Sequence, residues 1–137
     1  MNIIVRNVLA VVAGLVIGSI ANIALVMLGG SIVPPPAGVN PADMDSMREL
    51  IHLFEPKHFL FPFLAHAVGA LVGGLVASLV AGSRSLLLAV VVGGFFLLGG
   101  IIASFMIPAP VWFIAADILL AYIPMALLGW KISGKGQ

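Results

Sequence analysis

Four long apolar stretches alternate with short polar or proline-containing segments along the chain. Each stretch holds about 20 or more predominantly apolar residues, the length at which a helix crosses the hydrocarbon core of a bilayer. The first break, residues 29–36, combines glycines with three prolines, and proline lacks the amide donor that a helix needs. The pattern therefore predicts four membrane-spanning helices, over residues 3–28, 59–81, 86–107 and 111–130.

A further helix is predicted between the first two spans. Its apolar side chains recur at helical spacing, at Met44, Met47, Ile51 and Phe54. Asn40 is a candidate N-cap and Pro41 suits the first turn, so the helix is expected over residues 41–54. At about 14 residues it is too short and too charged to span, and we expect an amphipathic helix that lies on the membrane surface or covers the bundle.

Composition decides which solvent these helices need. The 137 residues are 62% hydrophobic and only 8% charged, with a mean hydropathy of +1.26. A soluble domain carries about a quarter charged residues, and a chain of this size buries only about two-thirds of its surface on folding. We therefore expect an all-α membrane protein, a four-transmembrane-helix bundle in a lipid bilayer, forming a single integral membrane domain over residues 1–137.

The first span has an alternative interpretation as a cleaved signal peptide. Ser19, Ile20 and Ala21 resemble a cleavage site. The apolar run continues past them and is long for the hydrophobic core of a signal peptide. We therefore expect the first span to be retained as a membrane helix.

The basic residues predict the orientation of the chain. Four of them fall at one end of the predicted bundle: Arg6, Arg84, Lys131 and Lys135. Arg48 and Lys57 fall at the other end, where four acidic residues offset them. Because positive loops stay in the cytoplasm, we expect a multi-pass protein of the cell inner (plasma) membrane with both termini cytoplasmic and the first loop extracytoplasmic.

Small residues recur every fourth position in the second span, which favours close packing of this helix with its neighbours. Two spans carry glycines at the spacing typical of helix contacts: Gly14 and Gly18, and Gly69 and Gly73. We expect the second span to lie centrally in the bundle. The same motifs also allow self-association or contact with another membrane subunit.

Short matches between the halves of the chain favour an internal repeat. Residues 9–14 of the first span resemble residues 88–93 of the third, and proline-containing turns follow both spans. Two hairpins of equal orientation would form a parallel repeat about an axis along the membrane normal.

One polar residue lies within each span, at Asn22, His66, Ser104 and Asp117. Their distances from the predicted ends of their helices place all four at a similar depth, nearer the outer side. Polar groups are costly in lipid and face a bundle interior, so we predict a shared polar cluster that opens outward. Asp117 and His66 are the expected partners, forming a proton, cation or small-ligand site. A purely structural bridge between spans two and four is the alternative interpretation.

Pro124 is expected to kink the fourth span, because it removes the hydrogen bond to the carbonyl of Leu120.

Glu55 and His58 have a spacing that some helical metal sites use. His58 and His66 are about 12 Å apart along a helix, too far to share an ion. Glu55 and His58 are therefore interpreted as interfacial residues, and no metal or cofactor is predicted.

Several functional classes find no support in the sequence. The chain has no cysteine and a net charge of +1, so neither thiol chemistry nor a nucleic-acid partner is predicted.

The preferred hypothesis is a small-solute or ion-coupled transporter or ligand-binding membrane protein. The alternative is an accessory or assembly subunit of a larger membrane complex, with a partner docked on the small-residue stripes and the loop helix. A membrane enzyme has the least support, because no nucleophile or metal set accompanies the two ionisable groups.

Overall fold

The computed structural model describes residues 1–136, and within that range the regular structure is helical, with no strand. Four helical segments are long and apolar enough to cross a membrane by length and composition: Ile3–Ile32, Pro56–Val80, Ser85–Met106 and Val111–Ile132. The prediction of an all-helical chain with four long apolar helices is confirmed. These helices are compatible with a multi-pass membrane bundle.

Six α-helices make up these segments and the first loop: α1 (Ile3–Ile32), α2 (Met44–Leu50), α3 (Leu60–Val80), α4 (Ser85–Met106), α5 (Val111–Leu120) and α6 (Ile123–Ile132). Two short 3-10 turns, Ile51–Leu53 and Pro56–Phe59, connect α2 to α3.

Helix α1 is longer than predicted, because Gly29 and Gly30 do not end it. The helix continues to Ile32, and Gly29 packs against the ring of Phe61. The prolines end it instead. Val33 precedes Pro34 and leaves the helical region, with φ −123° and ψ 86°, because proline disfavours helical dihedrals in the residue before it.

The loop helix is shorter than predicted. Asp43, not Asn40, is its N-cap, and the Asp43 carboxylate accepts a hydrogen bond from the backbone N–H of Asp45. The Asn40 side chain accepts from the N–H of Ala42 in the preceding turn, which keeps residues 40–42 outside the helix.

The fourth span is two helices rather than one. The break falls between Leu120 and Ile123, and Pro124 lies in the first turn of α6. Pro124 was expected to kink one continuous helix, and the helix is instead interrupted just before the proline. Tyr122, at the break, has φ −108° and ψ −78°, away from ideal helical values.

Helix α3 lies at the centre and packs against α1, α4 and α6. The small residues Gly69 and Gly73 of α3 meet α1. A Cβ on Gly14 would lie 2.6 Å from the Gly73 carbonyl oxygen, and one on Gly18 would lie 2.6 Å from that of Gly69. Because any side chain there would collide with backbone, these four glycines set the close approach of α1 and α3.

The two ends of the bundle differ in the segments they hold. Arg6 Nε donates to the Val80 carbonyl at 2.7 Å, and Trp130 Nε1 donates to Ser85 Oγ at 3.1 Å. The start of α1, the α3–α4 turn and the end of α6 therefore lie together. The α2 loop and the α4–α5 turn lie at the opposite end, which we call the loop end.

The outer surface of the bundle is apolar. Along α1, large exposed side chains recur over its whole length, including Val5, Val12, Val16, Ile20, Ile23 and Met27. A continuous apolar surface of this extent suits contact with lipid.

Candidate functional site

Three side chains form a hydrogen-bonded group inside the bundle, which we call the polar cluster: His66, Asp117 and Tyr122. Nδ1 of His66 lies 2.8 Å from Oδ1 of Asp117. The Tyr122 hydroxyl donates to Oδ2 of Asp117 at 2.8 Å, and its oxygen also lies 3.1 Å from Nδ1 of His66. Asp117 is 5% exposed and Tyr122 is 3% exposed, so the carboxylate and its phenol partner are buried.

The hydrogen bonds of the cluster define its chemistry. A carboxylate only accepts, so the proton on Nδ1 of His66 faces Asp117, and in the neutral ring the lone pair lies on Nε2. No group in residues 1–136 forms a hydrogen bond with Nε2. Asp117 can thus hold an imidazolium by charge while Nε2 takes up a proton or bonds to a ligand. A buried carboxylate without these two partners would be very costly.

Tyr122 enters the cluster because the fourth span is broken. In a continuous helix Tyr122 would lie about 140° around the axis from Asp117, and could not reach it. The break at Ala121 and Tyr122 turns the phenol back toward the carboxylate. Space for the ring comes from Gly100 of α4, where a Cβ would collide with the Tyr122 ring and hydroxyl. The proline two residues later was the sequence signal for this arrangement.

A pocket of about 200 Å³, the loop-side pocket, extends from the polar cluster toward the loop end. His66, Asp117 and Ser104 contribute polar groups near its inner part. The rest is mostly apolar and aromatic, with lining side chains that include Met47, Ile51, Phe54, Phe59, Phe113 and Ile114. Such a surface suits a largely apolar molecule with one polar group.

The α2 loop covers this pocket. The apolar side chains Met47, Ile51 and Phe54 all line it, and Ile51 is 8% exposed. Nε of Arg48 donates to the carbonyl of Met106 at 2.7 Å, which ties the loop to the end of α4. Three of the four apolar residues of the loop helix are therefore turned onto the bundle, whereas Met44 is 40% exposed.

A second pocket of about 190 Å³, the α1-side pocket, lies among α1, α3 and α4 on the other side of His66. Its polar lining comes from Asn22, His66 and Tyr122. The Oδ1 atom of Asn22 is buried and accepts no hydrogen bond from residues 1–136. Buried polar atoms almost always have a partner, so this atom is an unsatisfied acceptor beside the pocket.

The structure brings two of the four predicted cluster residues into direct contact, His66 and Asp117. Ser104 lines the loop-side pocket, but its hydroxyl donates to the carbonyl of Ile101 in its own helix at 2.6 Å. Asn22 lines the α1-side pocket and does not bond to Asp117. Both therefore lie beside the polar cluster without joining it.

Glu55 and His58 form a local turn. The N–H of Glu55 donates to Nδ1 of His58 at 2.8 Å, and the Glu55 side chain accepts from the backbone of His58, a reciprocal cap. Lys57 lies 3.3 Å from the Glu55 carboxylate, with both side chains exposed. These contacts order the entry into α3 and place His58 at the wall of the loop-side pocket.

Comparison with models of protein families, with curated proteins and with solved structures found no match. The residues that line the two pockets are therefore the basis for assigning a function.

Proposed function

We propose that this protein is a ligand-binding membrane protein that takes a small, largely apolar molecule with one hydrogen-bonding group into the loop-side pocket. The observation that carries the proposal is the buried His66–Asp117 pair at the polar end of an otherwise apolar pocket. Pairing the histidine with a carboxylate makes the polar end responsive to protons, as a transporter that couples a small solute to an ion requires.

The accessory-subunit alternative used two docking surfaces, the small-residue stripes and the apolar face of the loop helix. The contact between α1 and α3 occupies Gly14, Gly18, Gly69 and Gly73, and on the loop helix only Met44 of the four apolar side chains is exposed. Ile51 is buried, and Met47 and Phe54 are half-buried beside it over the loop-side pocket. Since a side chain that covers a pocket is not free to bind another subunit, the geometry favours ligand binding over docking through this face.

The repeat and the orientation belong to the same proposal. Gly14, the last residue of the first repeated segment, packs against Gly73 of α3, and Gly93, the last of the second, packs against Ala126 of α6. These equivalent contacts support two hairpins of equal orientation. The basic residues favour cytoplasmic termini in the inner membrane, with the loop end and its pocket facing outward.

Native mass spectrometry of the protein in lipid nanodiscs tests the binding proposal. The probes are octanol, octanoate and octylamine, which share a chain and differ only in the polar group. We expect one of them to bind with 1:1 stoichiometry, and Asp117→Asn to weaken that binding by about tenfold or more, because the change removes the charge that holds the histidine. Asp45→Asn makes the same chemical change at an exposed position of the loop and should leave binding unaltered.

Two results would count against this function. The first is equal binding by wild type and Asp117→Asn with lower stability of the variant, which would make the His66–Asp117 pair a structural bridge. The second is isolation from native membranes only as a complex with other chains and without any bound small molecule, which would favour an accessory subunit.

A further inference from the structure

The two pockets contact different members of the polar cluster. Asp117 lines only the loop-side pocket, and Tyr122 lines only the α1-side pocket. His66 lines both. Its side chain is 29% exposed, whereas that of Asp117 is 7% exposed. Gly100 and Ala103 of α4 also line both pockets, so the imidazole is the one polar side chain that the two pockets share.

The α1-side pocket needs a hydrogen-bond donor that the protein does not supply. Oδ1 of Asn22 is buried and unsatisfied within residues 1–136. The pocket volume of about 190 Å³ is several times the roughly 30 Å³ that a water molecule occupies in the liquid. Asn22, His66 and Tyr122 offer the two to four polar partners that a bound water requires.

The groups that face His66 are few. Asp117 of α5 and Tyr122 before α6 bond to it, and His58 lines the same loop-side pocket. The residues of α1 and α4 that line the two pockets include no titratable side chain. Among the residues that line the α1-side pocket, only His66 and Tyr122 are titratable, so His66 is the group there that can become positively charged, with Asp117 as its counter-ion.

We propose that the α1-side pocket holds water and is the route by which His66 gains and loses its proton, separate from the loop-side pocket. In the uptake step a hydronium ion transfers its proton to Nε2 of His66 and leaves as water, and the Asp117 carboxylate balances the imidazolium. Release reverses the step. Asn22 is a positioning residue that orients the water next to the ring. The inference rests on the proposed function only where it assigns the ligand to the loop-side pocket.

Hydrogen–deuterium exchange at the C2 carbon of histidine, resolved by residue with mass spectrometry, tests this route in ligand-free protein in nanodiscs. The reaction requires a protonated ring and access of hydroxide to it. Gly99→Leu is the principal variant, because Gly99 lies at the exposed edge of the α1-side pocket, where a Cβ meets nothing within 4 Å and a leucine side chain has room to cover the opening. Gly94→Leu is the matched control, with the same open space and no place in either pocket.

We expect Gly99→Leu to slow exchange at His66 by about tenfold, while Gly94→Leu leaves it at the wild-type rate. His52 and His58, in the same samples, report any general change. Asn22→Leu, which removes the unsatisfied acceptor at similar volume, should also slow His66 and serves if Gly99→Leu does not fold.

The proposal would be overturned if Ser104→Leu, which fills the loop-side pocket, slowed the exchange while Gly99→Leu and Asn22→Leu did not. The proton would then reach His66 through the loop-side pocket. An unchanged rate in all three variants would overturn it as well. Since these measurements need no ligand, they decide the water route even if none of the octyl probes binds.

Discussion

The hydroxyl of Tyr122 donates a hydrogen bond to the Asp117 carboxylate at 2.8 Å although the two residues are only five apart in sequence. A regular helix directs residues at that separation to different faces. The break between α5 and α6 removes this restriction. The interruption of the fourth span therefore bends the chain and also brings the Tyr122 hydroxyl within hydrogen-bonding distance of Asp117.

Tyr122→Phe should lower stability and alter the site while keeping the ring in place. The change removes the hydroxyl that bonds to Oδ2 of Asp117 and leaves that oxygen unsatisfied. We expect the free energy of unfolding to fall by about 1–3 kcal/mol, the cost of an unsatisfied buried acceptor. The fall is measured by titrating the protein in mixed micelles with a denaturing detergent, and binding of the octyl probe should weaken. Trp130→Phe removes a hydrogen bond to Ser85 at the end of the bundle opposite the loop end. This change should lower stability without changing binding. Equal effects of the two variants on binding would contradict this role of Tyr122.

The contact between His66 and Asp117 could be predicted from the sequence for a simple physical reason. A carboxylate within an apolar helix needs a partner, and the chain offers few polar groups at that depth. Tyr122 could not be predicted in the same way, because its position depends on how far Pro124 opens the helix. The missing partner for Asn22 likewise depends on packing that periodicity does not describe.

The ends of the helices are likewise set in part by local sequence and in part by contacts between distant residues. Pro34 limits α1 through local backbone sterics, which can be read from the sequence. Gly29 was expected to break the helix, yet it lies inside α1 because Phe61 packs against it. The loop helix begins at Met44 because the Asn40 side chain bonds to the turn before it. At Gly29 and at Asn40 a contact of one side chain decided between two local conformations that the pattern permits.

Gly100→Ala should disturb the polar cluster through space alone. A methyl group at this position would overlap the ring of Tyr122, so the ring must move or α4 must shift. We expect a loss of about 1–3 kcal/mol of stability and weaker binding of the octyl probe. Gly94→Ala makes the same change in the same helix where nothing lies within 4 Å, and should raise stability by about 0.5–1 kcal/mol through helix propensity. Matching effects of the two substitutions would show that Tyr122 does not fill the space at Gly100.

Gly14→Ala should separate α1 from α3. Its Cβ would lie 2.6 Å from the carbonyl oxygen of Gly73, and backbone cannot give way as a flexible side chain does. Overpacking of this kind costs about 1–3 kcal/mol, again measured by detergent-induced unfolding. Gly30→Ala lies in the same helix with no atom within 4 Å and should be neutral or slightly stabilising. A neutral Gly14→Ala would mean that α1 does not pack tightly on α3 in the membrane.

The sidedness of the bundle can be measured directly because the chain contains no cysteine. Asp45→Cys places a thiol at an exposed position of α2, and Lys135→Cys places one beyond the end of α6, at the opposite end of the bundle. The excess of basic residues at the latter end predicts that it is cytoplasmic. A membrane-impermeant maleimide added to intact cells should therefore label Asp45→Cys and leave Lys135→Cys unlabelled until the cells are lysed. The reverse pattern would place the loop-side pocket on the cytoplasmic side, and a ligand would then have to reach His66 and Asp117 from within the cell.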